Sequence, residues 1–155
     1  MARKRRPLSA DEQQRLDALL EEIIDTTVHH YGADPRSAVR YDKREEMYDG
    51  SGTTYLLQMF EGEELVNNRI GAYMVLPTAA DSVGFHTHGD RSEQELYVVM
   101  HGRGTYLEKD DAEAEPRRYP IEAGTITTVR GSASHAVRNE SDEPLVIFVI
   151  TTYEP

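Results

Sequence analysis

The sequence contains no cysteine and no tryptophan. Without thiols it has no disulfide, no thiolate nucleophile and no cysteine-held zinc or iron–sulfur site. Long hydrophobic runs are missing too. The longest, "LVIFVI" at 145–150, falls far short of the ~20 apolar residues that a membrane-spanning helix needs. Near the N-terminus "ARKRRP" leads into "LSADEQQR", with none of the apolar core of a secretion signal, so the expected compartment is the cytoplasm. Positive charge is scarce: 17 Lys and Arg stand against 28 Asp and Glu, a formal charge of −11. Such a field repels nucleic acid and anionic lipid, and neither is expected as a partner. The basic residues at the N-terminus are the exception, and residues 1–8 read as a disordered, solvated tail.

What the chain does have is enough length, 155 residues, for one domain with a real core. Residues 9–40 read as a helical segment. "LSADEQQRLDALLEEIIDTTVHHYG" has Ser9 and Glu12 at capping-box spacing. Leu16, Leu19, Leu20, Ile23, Ile24 and Val28 form one apolar stripe, and Gly32 stands where a C-cap favours glycine. The stripe exceeds what one small barrel face needs, which predicts a homodimer. From Tyr41 to the end the texture changes to short β-branched and aromatic segments between turn residues, among them "TTYLLQMF", "RIGAYMVL", "ELYVVM", "TITTV" and "LVIFVITTY". Several short strands without a second long helix predict a mainly β fold over 41–155, a sandwich or barrel. The acidic "KDDAEAEP" at 109–116 reads as a solvated hairpin loop.

The chemistry concentrates in "GFHTHGDRSEQELYVVMHGRG", residues 84–104. His86 and His88, one residue apart on a strand, face the same way about 6.6 Å apart along the chain. Imidazoles reaching inward from there can share one ion. Glu95 opens a strand whose period of two places Tyr97 and Val99 beside it. His135 opens another, with Val137 and Asn139 on its side. Three imidazoles and a carboxylate from three strands are a candidate metal site, weighed against the plainer reading of them as surface polar residues of a β-protein. His101, six residues beyond Glu95, is about 20 Å away along a strand and cannot share that ion. His29 and His30 read as a solvated pair at the helix end.

These residues resemble the motifs of the cupins. Their first motif joins a His-x-His pair to a glutamate and then a glycine, and Glu95 to Gly102 reproduces its second half. Glu93 fits the commoner gap from His88, whereas Glu95 fits the strand and the glycine; Glu95 is the expected ligand. In the second motif Gly124, His135 and Asn139 fall in place, with Arg130 at the usual proline and Ser132 at the usual glycine. The resemblance implies a cupin jelly-roll (double-stranded β-helix) barrel with the N-terminal helix packed outside. The longer gap in "HTHGDRSEQELYVV" looks like the cupin-type phosphoglucose isomerases. That implies one divalent transition metal (Fe, Mn, Ni or Zn) on His86, His88, Glu95 and His135, with positions left for adjacent substrate oxygens. Glu95 and Tyr97 are the catalytic candidates and Arg130 and Arg138 the expected anion holders, for a small, sugar-like substrate undergoing isomerisation or enediolate chemistry. The same ligands also suit an iron-dependent oxygenase, a biosynthetic lyase or cyclase, or a non-catalytic ligand-binding barrel.

Overall fold

The structure, a computed structural model, describes residues 5–29, 32–61, 69–89 and 93–153. The first four residues of the basic tail, His30 and the last two residues lie outside this set. Among the described residues, eleven strands and one α-helix run in the order β1 (Arg5–Pro7), α1 (Ala10–Leu20), β2 (Arg40–Glu45), β3 (Thr53–Gln58), β4 (Arg69–Leu76), β5 (Ser82–Thr87), β6 (Glu93–His101), β7 (Arg103–Lys109), β8 (Arg117–Glu122), β9 (Ile126–Thr128), β10 (Ser134–Asn139) and β11 (Leu145–Tyr153). A short 3₁₀ turn, Met47–Asp49, joins β2 to β3.

The strands form two antiparallel sheets. One has seven strands in the order β1-β2-β3-β4-β11-β6-β9, the other four in the order β5-β10-β7-β8. Period-two alternation turns one face of each sheet inward. Leu56, Met74, Val83, Tyr97, Val99, Tyr106, Val137 and Ile147 meet there and fill the inner core. The outer face of the larger sheet carries Tyr41, Leu57, Val75 and Val146, and α1 covers them with Leu16 and Leu20. The acidic segment after Lys109 does connect β7 to β8 as a hairpin loop, its Asp110 held by Arg117 at 2.9 Å.

The helix starts where the sequence says. The Ser9 hydroxyl accepts from the Glu12 amide at 3.3 Å, and the Glu12 carboxylate accepts from the Ser9 amide at 3.0 Å. Replacing Ser9 with alanine is expected to cost about 1 kcal/mol in a urea melt.

Its end differs: α1 stops at Leu20, not near Gly32. The next residues, Ile23-Ile24-Asp25-Thr26-Thr27-Val28, are mostly β-branched and lose side-chain freedom in a helix. Glu21, Glu22 and Asp25 are acidic where the macrodipole favours cations. Asp25 also accepts from the Thr27 amide at 2.8 Å, a local bond that competes with helix. Val28 instead bridges to Arg36, and His29 is exposed well beyond the helix rather than at its end. Ile23, Ile24 and Val28 still pack on the same outer cluster as Leu16 and Leu20. The stripe is thus largely used within one chain, and the homodimer loses the argument that suggested it.

The tail differs as well, since Arg5–Pro7 is an edge strand. Its arginines meet acidic partners: Arg5 lies 2.8 Å from Asp42, and Arg6 pairs with Glu12. Pro7 is tolerable because an edge strand does not need every amide.

Candidate metal centre

His86 lies on β5 and His88 one residue past its end; His135 is the second residue of β10, the neighbour of β5 in the smaller sheet. His135 is registered directly against His86. Glu95 comes from β6 in the opposite sheet, on the buried face of that strand with Glu93, Tyr97 and Val99. The two layers therefore deliver ligand atoms to one point from both sides.

At that point the atoms crowd together. His135 Nε2 is 3.0 Å from His86 Nε2 and 3.2 Å from His88 Nε2. Glu95 Oε2 is 2.9 Å from His88 Nε2, 3.0 Å from His135 Nε2 and 3.9 Å from His86 Nε2. Two donors held at right angles by one ion at about 2.1 Å lie about 3.0 Å apart, which is the spacing seen for most of these pairs.

The outer nitrogens explain the orientation. His86 Nδ1 is 2.9 Å from the Gly84 carbonyl oxygen, which can only accept, so this nitrogen carries the proton. His88 Nδ1 donates in the same way to the Glu93 carboxylate at 2.7 Å. His135 Nδ1 meets the Tyr106 hydroxyl at 3.1 Å. Protonation at Nδ1 leaves the Nε2 lone pairs of His86 and His88 facing the shared centre, the arrangement typical of metal-bound histidine, and the Tyr106 hydroxyl can accept from His135 Nδ1 in the same way. Glu95 Oε2 is buried and accepts no well-directed hydrogen bond, while Oε1 accepts from Thr151 at 3.1 Å. An orphaned carboxylate oxygen amid three imidazoles fits a cation, and the four side chains together are a group that could hold a metal ion.

Where an imidazole carries a proton on Nε2, it acts on Glu95 as a donor. Burial alone would raise the Glu95 carboxyl, but its contacts with His135, His86 and His88 outweigh this and hold it well below the usual range. Burial makes His135 harder to protonate. For His88 burial acts the same way, yet Glu95 and Glu93 overcome it and raise the ring. Tyr97 is driven far above its ordinary value, by burial first and the Glu95 charge second. It stacks on His135 with ring centroids 5.2 Å apart.

His86, His88 and Glu95 line a cavity of about 170 Å³ bounded also by Arg44, Met47, Tyr48, Gln58, Met74, Glu93, Tyr97 and Thr151. Arg130 and Arg138 do not line it. Both are exposed; Arg138 borders a separate surface hollow with Ser82 and Phe85, and Arg130 another with Gly89 and Gln94. Arg44 is the arginine that the fold brings to this cavity. On β2 it is registered with Thr54, in line with Asp42 and Leu56 on the inward side. Glu93, weighed against Glu95 as a ligand, instead orients His88. His101 hydrogen-bonds the Pro144 carbonyl at 2.9 Å, away from the centre.

The profile of the Cupin domain family matches residues 72–151, which includes all four candidate ligands. The chain belongs to the cupin family. Among solved structures, this cupin is similar to a predicted oxalate decarboxylase from Thermotoga maritima, at 24% identity over 72% of this chain and 90% of that one, TM-score 0.63. It is also similar to a Cupin 2 conserved barrel domain protein from Salinispora arenicola, at 20% identity over 65% and 76% of the two chains, TM-score 0.52. The cupin domain of Schizosaccharomyces pombe Cnp3 aligns over 84% of this chain and 87% of its own, at 7% identity and TM-score 0.56. Identities this low speak for the fold alone. Comparison with curated proteins returns no match. Among the described residues no helix is long and apolar enough to cross a membrane.

Proposed function

We propose that this cupin is a metal-dependent enzyme acting on a small, polar, oxygen-rich substrate by isomerisation or related enediolate chemistry. The observation that carries the reading is the convergence of three Nε2 atoms and Glu95 Oε2 at one point, beside a cavity lined by His86, His88, Glu95 and Arg44. A divalent transition metal on His86, His88, Glu95 and His135 would supply Lewis-acid stabilisation of charge on substrate oxygens. The chain's other residues bind substrate and hold protons. Arg44 offers one guanidinium for a carboxylate or phosphate on the substrate. Glu95, kept ionised, serves as ligand rather than as base. Tyr97, kept protonated, donates a hydrogen bond. Glu93 is the remaining carboxylate in the cavity wall, and it holds the His88 Nδ1 proton.

A second reading is decarboxylation of a small dicarboxylate. It is favoured by Arg44 standing in the same cavity as His86, His88 and Glu95.

Metal-loaded protein in deuterated water, given fructose 6-phosphate or a small hydroxy acid, is expected to exchange the proton next to the carbonyl. Exchange should require the metal and fall about a hundredfold or more in Glu95→Ala and Arg44→Met. Carbon dioxide released from oxalate without exchange would favour the second reading. Oxygen uptake without exchange would replace both with an oxygenase.

A further inference from the structure

The turn between β2 and β3 is built against backbone preference. Glu46, Tyr48 and Asp49 all adopt left-handed backbone, with φ of 48°, 52° and 60°. None is glycine, and such clustering occurs where the surroundings enforce it, often at functional sites. The turn is also pressed onto β5. A Cβ at Gly84 would lie 2.0 Å from the Tyr48 carbonyl oxygen, and one at Gly50 would lie 2.4 Å from the Ser82 carbonyl oxygen. Only glycine permits either approach.

The product of this construction is one contact. The Tyr48 ring lies flat on the His86 imidazole, with centroids 4.1 Å apart and planes 13° from parallel. Filling the inner core beside Met47 would ask only for an apolar side chain at position 48. A parallel face against an imidazole asks for an aromatic ring.

We infer that Tyr48 is a positioning residue for the metal centre, fixing the plane of the His86 ring so that Nε2 points at the site shared with His88, Glu95 and His135. The Gly84 carbonyl holds one edge of that ring at 2.9 Å, and Tyr48 holds its face. The inference rests on the reading of these four residues as metal ligands.

The test compares Tyr48→Phe with Tyr48→Leu. Leucine keeps the bulk and the same backbone requirement but lacks the flat face. Cobalt(II) titration followed by visible absorption reports the centre, and imidazole proton resonances of the metal-free protein report the stack. Tyr48→Phe should keep the upfield-shifted His86 signals, the cobalt affinity and the cobalt spectrum. Tyr48→Leu should move the His86 signals downfield, weaken cobalt binding about tenfold and alter its spectrum, within the range seen for groups that orient metal ligands. Its metal-free melting temperature should stay close to that of the parent, which separates positioning from folding. Equal cobalt affinity in Tyr48→Leu and the parent overturns the inference, and so does an equal loss in Tyr48→Phe, which would assign the effect to the hydroxyl. If Tyr48→Leu fails to fold, Gly84→Ala takes its place, since its Cβ must push the turn off β5 while Tyr48 stays intact. A parent protein that binds no cobalt would refute the metal reading, whereas unshifted His86 resonances in the parent would refute the stack itself.

Discussion

His135→Ala and Glu95→Ala are each expected to reduce bound metal from one ion per chain to well below one. His86→Ala and His88→Ala should do the same, because the four candidate ligand atoms all lie within 4.8 Å of one another. The parent protein, given manganese or zinc at about one hundred times its dissociation constant, should gain about 2.7 kcal/mol. For a domain of this size that is about 5–10 °C in melting temperature. A chelator should abolish the gain in the parent and change nothing in the ligand variants. Glu93→Ala should behave differently. It loses the 2.7 Å bond that orients His88 but no ligand atom, so affinity should fall about 10- to 100-fold with one ion still bound at saturation. Elemental analysis and calorimetric titration check both statements. If Glu93→Ala lost the ion and Glu95→Ala kept it, the two carboxylates would have to exchange roles.

The second large effect lies in the fold. Asn139 is 1% exposed, and its amide nitrogen donates to the Leu76 carbonyl at 2.9 Å and the Glu143 carbonyl at 2.8 Å. Its side-chain oxygen accepts from the Ser141 amide at 2.9 Å and from the Ser141 hydroxyl at 3.3 Å. One side chain thus ties the turn after β10 to the end of β4. Asn139→Asp would set a buried carboxylate oxygen against two carbonyl oxygens. The expected loss is about 3 kcal/mol or more at neutral pH, with part recovered in acid as the new carboxyl takes up a proton. Asn139→Ala loses the bonds without creating the repulsion, at about 2 kcal/mol. Urea melts of the two variants decide the order. An aspartate variant as stable as the alanine variant would mean that the amide does not face those carbonyls.

Much of the centre could be read from residue order because its geometry is local. His86 and His88 need only a strand's period of two to share a face, and the same period puts Glu95, Tyr97 and Val99 on one side of β6. That rule also sends Arg138 to the face opposite Val137 and Asn139, where the structure has it exposed. The expectation that it would hold an anion followed nearness in sequence to His135 and ignored alternation. Arg44 and Tyr48 were out of reach for another reason. β2 reads "RYDKRE", a polar stretch without strand texture, and only its pairing with β3 turns Arg44 inward. Tyr48 depends on left-handed backbone at residues that do not advertise it; the nearby Asp49-Gly50-Ser51-Gly52 signals a turn but not its direction. The helix shows the same divide. Its start is a four-residue code, while its end depends on a balance of propensity, charge and a competing turn that an apolar stripe conceals.

Three of the candidate ligands hang from the four-stranded sheet or the residue just past its first strand, and one, Glu95, from the seven-stranded sheet. An ion between them would be a rivet through both layers of the sandwich. Pulling the sheets apart would first have to break the bond to Glu95, so the metal would slow unfolding by blocking the seam and would leave each sheet's own hydrogen bonding untouched. A chain stripped of metal would keep its strands yet open more readily along that seam, and proteases would find the difference before circular dichroism did.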